Sequence, residues 1–216
     1  MILTVGNVKG GVGKTTLAIN IAIARALAGK EVLLVDGDEQ HTAASFTELR
    51  NEQAGRKDYT AVNLAGAAVR TQTRQLSSKY GDIVIDAGGR DTGSFRAALT
   101  VTDMLLVPVQ PRTFDVWAID QVANLVAEAR EINEQLLAVS VLNAADPVGQ
   151  DNHEAAEALT EVDGIEYLPF LVVRRKAFPN AAAQGLSVLE YVPRDQKAVK
   201  ELTALIEHLY GNMTSK

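Results

Sequence analysis

The sequence predicts an α/β fold with a doubly wound, mostly parallel sheet flanked by helices. Two observations carry this prediction. Apolar runs of four to seven residues occur without polar alternation, which is typical of strands that helices cover on both faces. These runs alternate along the chain with longer segments of helical periodicity, as in sheets built from right-handed strand–helix–strand units.

In chain order, the first predicted strand is followed by a glycine-rich segment and then by a helix over residues 15–28, which Gly29 ends. The predicted strands are residues 2–6, 31–36, 83–86, 104–109 and 136–142. The remaining helical patterns cover residues 42–54, 65–79, 115–134, 150–162 and 195–210. No repeat, linker or low-complexity tract divides the chain. We therefore expect residues 1–210 to form one domain and residues 211–216 to be a frayed tail.

Composition and charge exclude several classes of protein. The chain has 216 residues, of which 47% are apolar and 22% charged, so it is expected to fold as a globular domain. It contains no cysteine, which excludes disulfides, thiolate metal sites and cysteine nucleophiles, and its three histidines lack the spacing of metal ligands. The net charge of −6 excludes a uniformly basic protein but allows a local basic patch. We expect no signal peptide and no membrane span.

The segment between the first strand and the first helix carries the strongest functional signal. It consists of Lys9, Gly10, Gly11, Val12, Gly13, Lys14, Thr15 and Thr16. Glycines let successive backbone N–H groups point at phosphate oxygens, and the positive end of the next helix faces the same anion. A lysine at position 14 can reach the β- and γ-phosphates, and a threonine hydroxyl at position 15 can bind Mg²⁺. The segment predicts a nucleotide-binding P-loop, in which Val8 replaces the first glycine of the usual pattern.

Three aspartates lie at the carboxyl ends of predicted strands, at the edge of the sheet where the P-loop is expected. Asp36 and Asp38 lie at the end of the second strand, and carboxylates there can orient water or support Mg²⁺; a cap or turn role is the alternative. Asp86 ends the apolar run IVID, a pattern typical of a carboxylate that holds Mg²⁺ through water. Gly88 and Gly89 follow it, and a backbone N–H there could sense the γ-phosphate as a switch.

The P-loop resembles the deviant Walker A motif K-G-G-x-G-K-T-[TS] of the ParA/MinD family of ATPases, and residues 36–40 resemble its D-x-D-P-Q segment with Glu39 in place of proline. The resemblance implies that the protein binds ATP and Mg²⁺ and forms a nucleotide-sandwich homodimer in which Lys9 reaches the partner's phosphates. It further implies that Asp38 polarises the attacking water and that Asp36 supports the metal. Asn143, at the end of a strand, would bind the adenine edge, although a turn role remains open.

Two basic groups stand out against the negative net charge. Arg174 and Arg175 follow an apolar stretch, and Lys197 and Lys200 lie in the first turns of the last helix. Members of the resembled family use basic residues in this region to bind DNA without sequence preference; a solvated charged surface is the alternative reading. The apolar stripe of the last helix is expected to pack in the core rather than to enter a membrane.

The resemblance thus implies a small cytoplasmic, nucleoid-associated partition ATPase. Its ATP-bound dimer would bind DNA, and a partner on the cargo, a ParB-type centromere-binding protein or another adaptor, would stimulate hydrolysis and release. Two alternatives remain. A MinD-like membrane-cycling ATPase would need a basic, aromatic tail helix. A metabolic ATP-dependent ligase of the same fold would not need Lys9.

Overall fold

A computed structural model describes residues 1–53, 55–56, 58–89, 92–112, 118–148 and 150–211. Three sequence predictions fall partly outside these residues. They are the last residue of the helix expected over residues 42–54, the first turn of the helix expected from residue 115, and most of the tail.

The described residues form a seven-stranded sheet in which every neighbouring pair of strands is parallel, in the order β3-β2-β4-β1-β5-β6-β7. The strands are β1 Ile2–Val5, β2 Val32–Asp36, β3 Thr60–Asn63, β4 Asp82–Asp86, β5 Met104–Val109, β6 Leu137–Ala145 and β7 Glu166–Val173. The helices are α1 Lys14–Leu27, α2 Thr42–Gln53, α3 Ala67–Leu76, α4 Gly93–Leu99, α5 Ile119–Arg130, α6 Gln150–Thr160, α7 Ala177–Ala182 and α8 Gln196–Gly211. The predicted fold class is confirmed.

Burial explains which strands the sequence revealed. Every residue of β2, β4 and β5 is buried, as their unbroken apolar runs predict. The edge strands β3 and β7 were not predicted, because β3 is short and half-exposed and β7 carries Pro169, which a strand tolerates only at an edge. The short helices α4 and α7 were also missed, since seven and six residues give too little periodicity.

The centre of the sheet positions the functional residues. Strand β1 lies between β4 and β5, at the point where the strand order changes direction, which is where ligands bind in open α/β sheets. Asp86 pairs in register with Val5 on one side and with Asp36 on the other. The carboxyl ends of β1, β2 and β4 therefore meet, and the P-loop between β1 and α1 lies beside the acidic residues.

Helix α8 packs its apolar stripe into the core. Leu202, Leu205, Ile206 and Leu209 are all buried in the same apolar cluster as residues of β7 and α1. Among the described residues, none of the helices combines the length and hydropathy that a bilayer crossing requires.

Candidate nucleotide-binding site

The P-loop has a backbone conformation that only glycine adopts readily. Gly11 and Gly13 have φ angles of 76° and 90°, in the left-handed region. A Cβ on Gly13 would also stand 2.3 Å from Nδ2 of Asn143, so this position excludes a side chain twice over. Helix α1 starts at Lys14 with no side-chain cap and no acidic residue in its first turn. Its free N–H groups and dipole are therefore available to an anion.

The side chain of Lys14 folds back onto the P-loop. Its side chain is buried, and Nζ donates a hydrogen bond of 2.8 Å to the carbonyl oxygen of Lys9. Burial lowers the pKa of Lys14, and the carboxylates of Asp86 and Asp38 oppose that effect. The Lys14 ammonium thus lies between the P-loop and the acidic residues. Phosphate oxygens bound there would replace the water that the ammonium loses on burial.

Two side chains that the sequence did not single out brace the P-loop from strand β5. Asn7 is fully buried; its Nδ2 donates to the carbonyl oxygen of Pro108 at 2.9 Å, and its Oδ1 accepts from the Lys9 N–H at 2.9 Å. Nε2 of Gln110 donates to the carbonyl oxygen of Gly11 at 2.8 Å. The only sequence signal for these contacts was that Gln110 stands between two prolines at the end of a predicted strand.

Asn143 braces the same loop from strand β6. Its Nδ2 donates to the carbonyl oxygen of Val12 at 2.7 Å, and the side chain is buried. The same residue also lines a pocket of about 220 Å³ that includes Val172, Phe178 and Pro179. This pocket has the apolar character that an aromatic base requires. The adenine assignment of Asn143 stays a prediction, to which the structure adds a contact with the P-loop.

Asp86 is a buried carboxylate at the end of β4. Both of its oxygens are buried and lack a well-formed hydrogen bond to any described residue. Burial raises the pKa of Asp86 to about 7, against the lowering influence of the Thr15 hydroxyl and of Lys14. A divalent cation nearby would offset this desolvation. The described residues contain no cluster of three or more candidate metal ligands, so Mg²⁺ here would be shared between protein groups, water and phosphates, as is usual for that ion.

The carboxylates of Asp36 and Asp38 differ in their surroundings. Asp36 is buried and accepts backbone N–H groups from Asp38 at 3.1 Å and Ala44 at 2.9 Å, so it ties the loop after β2 to the start of α2. Asp38 is half-exposed, lines the main cavity and accepts the N–H of Gln40 at 3.0 Å. Asp38 is therefore the better placed of the two to meet a water molecule, and Asp36 to position it.

Gly88 and Gly89 lie against both functional segments. A Cβ on Gly89 would stand 2.8 Å from Nζ of Lys14 and 3.2 Å from Cα of Gly10, and a Cβ on Gly88 would stand 3.4 Å from Cγ of Asp38. The backbone of residues 88–89 thus fits closely between the P-loop and the loop after β2. This placement suits a segment that responds to the γ-phosphate.

The phosphate cavity, as we name the space between these segments, has a volume of about 730 Å³ and is large enough for a nucleotide. It is lined by residues 8–11, 13–16, 37–40, 42, 88–89, 92 and 94. The residues present fit Mg-ATP, because the uncapped start of α1, Lys14, Thr15 and Asp38 line one space. The buried carboxylate of Asp86 lies beside Thr15 and Lys14.

The predicted DNA-binding residues lie at the same edge of the sheet. Arg175 forms an ion pair with Glu201, with Nη2 2.5 Å from Oε1, and Arg174 and Arg175 both line the apolar base pocket. Lys197 and Lys200 are exposed at the start of α8. The structure therefore brings the two arginines next to the nucleotide site and leaves the two lysines on the surface.

Comparison with known proteins gives a consistent result. Residues 3–189 match the family model of the CobQ/CobB/MinD/ParA nucleotide binding domain. The chain is 29% identical over 209 residues to maintenance of carboxysome distribution protein A of Halothiobacillus neapolitanus, an alignment that covers 96% of this chain and 95% of that protein. It is 25% identical over 236 residues to the sporulation initiation inhibitor protein Soj of Bacillus subtilis, covering 91% and 93%. A McdA–ATP complex from Cyanothece shares the fold, with a TM-score of 0.80 at 17% identity over 97% and 96% of the chains.

Proposed function

The chain belongs to the CobQ/CobB/MinD/ParA family of nucleotide-binding proteins, and from that premise we propose that it is an ATPase that positions a cargo inside the cell. It binds ATP with Mg²⁺, and hydrolysis to ADP and phosphate drives its cycle. We further propose that residues 1–210 act as one ATPase domain, that ATP binding produces a homodimer, and that the dimer binds DNA without sequence preference in the cytoplasm.

The observation that carries this proposal is the conformation of the P-loop with its second lysine. Lys14 folds back onto the loop and serves the chain's own phosphates, whereas Lys9 is exposed at the tip of the loop beside Gly10 and Gly11. An exposed cation there is of use to a second molecule, as the family resemblance implies. A ligase of the same fold would have no need for it.

Hydrolysis follows from the placement of the loop after β2 and of residues 88–89 beside the P-loop. When bound, Mg²⁺ neutralises charge on the phosphates, with Thr15 and Asp86 as the groups that would hold it. Asp38, beside Gly88, orients the attacking water and accepts its proton. Lys14 stabilises the negative charge that develops on the phosphoryl oxygens. Asn7, Gln110 and Asn143 keep the loop in place while this happens.

DNA contact is proposed for the exposed lysines at the start of α8. Lys197 and Lys200 are exposed and form no ion pair with any described residue. The start of α8 lies near the carboxyl end of β7, because Glu201 accepts the N–H of Val173 at 3.1 Å. Arg174 and Arg175 remain candidates, but a DNA phosphate would have to share the guanidinium group of Arg175 with Glu201. A dimer doubles the patch on one rigid body, so weak phosphate contacts add in avidity.

The cargo is proposed from the names of the relatives, which include a protein that maintains carboxysome distribution and chromosome-partitioning ATPases. Both kinds of cargo need an adaptor that stimulates hydrolysis, either a centromere-binding protein or a protein on the surface of a cellular body. The membrane-cycling alternative is less well supported, because the stripe of α8 is buried in the core rather than exposed.

The test of the proposed function is ATP-dependent dimerisation and DNA binding. The parent protein is expected to sediment as a dimer with ATP and to shift two unrelated duplexes, with an affinity that falls steeply with salt. Lys14→Ala should abolish both effects, because the β- and γ-phosphates lose their cation. Lys30→Ala is the matched control, since Lys30 is exposed just before β2 at the opposite edge of the sheet. Equal DNA binding with ATP, with ADP and without nucleotide would contradict the proposal.

A second pair of variants locates the DNA surface. Replacing Lys197 and Lys200 together with Ala should weaken binding about equally on both duplexes and reduce the salt slope, while ATP-dependent dimerisation stays intact. The control replaces Lys30 and Lys79, two exposed lysines that precede β2 and β4. Full DNA affinity in the first double variant would move the contact surface away from α8.

A further inference from the structure

Three cationic side chains, which we name the basic rim, surround a cavity of about 440 Å³ next to the phosphate cavity. They are Lys9, Arg112 and Arg174. The cavity lies over the carboxyl ends of β5, β6 and β7, whereas the phosphate cavity lies over those of β1, β2 and β4. Lys9, Gly10 and Gly11 line both, and no carboxylate lines the basic rim cavity among the described residues. The tip of the P-loop thus separates two spaces of different composition.

The basic rim is open to solvent. Residues 9–11, Arg112 and Arg174 are all exposed, and a Cβ built on Gly10 or on Gly11 would meet nothing within 4 Å. The guanidinium groups of Arg112 and Arg174 make no hydrogen bond or ion pair with a described residue. The net charge of the chain is −6, yet the three positive charges of the rim lie close together and repel one another unless an anion binds between them. The rim is therefore suited to an anionic ligand.

The spaces for the chain's own nucleotide do not include Arg112, whereas Lys9 lines the phosphate cavity and Arg174 lines the base pocket. The phosphates of that nucleotide belong to the phosphate cavity, which Lys14 and the start of α1 serve from inside. Arg112 lines neither that cavity nor the apolar base pocket. An anion that reaches Arg112 must come from outside the chain, over the exposed tip of the P-loop.

We propose that Arg112, with Arg174 beside it, binds the polyphosphate of the nucleotide held by a second copy of this chain. The inference rests on the ATP-dependent homodimer of the proposed function. In the homodimer of the proposed function, Lys9 at the tip of the P-loop serves the second copy, so the P-loop tips lie at the interface. Because a two-fold interface presents the same surface from both copies, each basic rim then approaches the other copy's phosphate cavity. Without ATP, two cationic rims face one another and repel. With ATP in both copies, each rim faces phosphates, so the nucleotide itself supplies the charge that holds the dimer.

The size of the effect follows from the chemistry of the contact. Arginine pairs with phosphate through two parallel N–H donors, and a hydrogen bond to a charged group contributes about 1.5–3 kcal/mol, or roughly tenfold or more in affinity. Each dimer contains the contact twice, so loss of Arg112 should weaken dimerisation about a hundredfold. Lysine keeps the charge but not the paired donors, so Arg112→Lys should retain part of the affinity.

The experiment measures dimerisation of the full chain by sedimentation velocity with Mg²⁺ and a non-hydrolysable ATP analogue, over protein concentration and at two salt concentrations. Arg112→Ala is compared with Arg70→Ala, which removes the same charge from an exposed position on α3 that lines neither cavity. Affinity for a fluorescent ADP is measured in parallel on dilute protein. We expect Arg112→Ala alone to weaken the dimer about a hundredfold and reduce its salt dependence, with ADP affinity unchanged.

The outcomes separate this inference from the proposed function. If the parent dimerises and Arg112→Ala dimerises as tightly, this inference is overturned and the proposed function stands. The inference is also overturned if Arg112→Ala keeps its dimer affinity but loses DNA binding, because the rim then serves DNA phosphates. If the parent remains monomeric with the analogue, the homodimer and this inference fall together.

Discussion

A single methyl group at Gly89 should disable ATP turnover while leaving the fold intact. A Cβ at this position would stand 2.8 Å from Nζ of Lys14, 3.2 Å from Cα of Gly10 and 3.4 Å from the carbonyl oxygen of Lys9. Ordinary contact between such atoms needs about 3.5 Å. The Lys14 ammonium must therefore move by roughly 0.7 Å, away from the carbonyl oxygen of Lys9 that it now contacts at 2.8 Å.

The consequences for stability and for turnover differ because the displaced atom is the flexible end of a side chain. Loss of one hydrogen bond costs about 0.5–1.5 kcal/mol, which lowers the melting temperature by only about 1–6 °C for a chain of this size. Displacement of a phosphate-binding cation by about an ångström can cost on the order of a hundredfold in rate. Gly89→Ala should therefore lose roughly 10- to 100-fold in ATP hydrolysis and stay folded.

The assay combines phosphate release, with and without DNA, and a thermal melt. Gly93→Ala is the matched control, because a Cβ there meets nothing within 4 Å and Gly93 does not adopt a positive φ. That variant should hydrolyse ATP at the parental rate. Turnover by Gly89→Ala within twofold of the parent would refute the close fit of this loop against Lys14, and an equal loss in Gly93→Ala would refute its specificity.

Three further predictions concern the carboxylate proposed to be catalytic and a buried ion-pair network. Asp38→Ala should bind ATP and dimerise like the parent while phosphate release falls at least tenfold, and parental release in steady-state assays would remove Asp38 from the reaction. Arg50 is fully buried and pairs with Asp58 at 2.6 Å and with Glu190 at 2.9 Å. Arg50→Met should therefore lower the free energy of unfolding by about 3–5 kcal/mol in denaturant titrations. Arg96→Met, which breaks an exposed ion pair with Glu128, should lower it by less than about 1 kcal/mol. Burial raises the pKa of Asp58 and Glu190, but hydrogen bonds and charge from Arg50 outweigh burial and lower both pKa values. The two ion pairs therefore stabilise the fold above the ordinary pKa values of 3.8 and 4.5, and this stabilisation is lost as the pH falls through and below them. The free energies of unfolding of the parent and of Arg50→Met should converge in that pH range.

The nucleotide site was the most predictable part of the molecule because its chemistry is local. Residues 9–16 carry within eight positions the glycines, the lysine and the hydroxyl that phosphate and Mg²⁺ require. The strands on which Asp36 and Asp86 stand are continuous apolar runs, since helices cover both faces of the sheet. From these two facts the fold class and the meeting of the acidic residues with the P-loop could be predicted.

Contacts between residues far apart in the sequence could not be predicted from the sequence. Nothing near Asn7 indicates that it hydrogen-bonds Pro108, and nothing near Arg50 indicates that it binds Glu190 across the structure. The edge strands β3 and β7 escaped detection because an exposed or interrupted strand loses the continuous burial that makes it apolar.

The amino-acid sequence by itself determined which chemistry this protein can perform, because backbone conformation and side-chain identity within one short segment suffice to bind a phosphate. Only the tertiary structure decided where the remaining charges act. Arg112 and Arg174 are 62 positions apart and lie after β5 and β7, and only the packing of parallel strands side by side brings them to one rim with Lys9. Side chains that cluster at the carboxyl ends of strands from different parts of the chain leave no periodicity or spacing in the sequence. Such a cluster can therefore be recognised only in the assembled sheet.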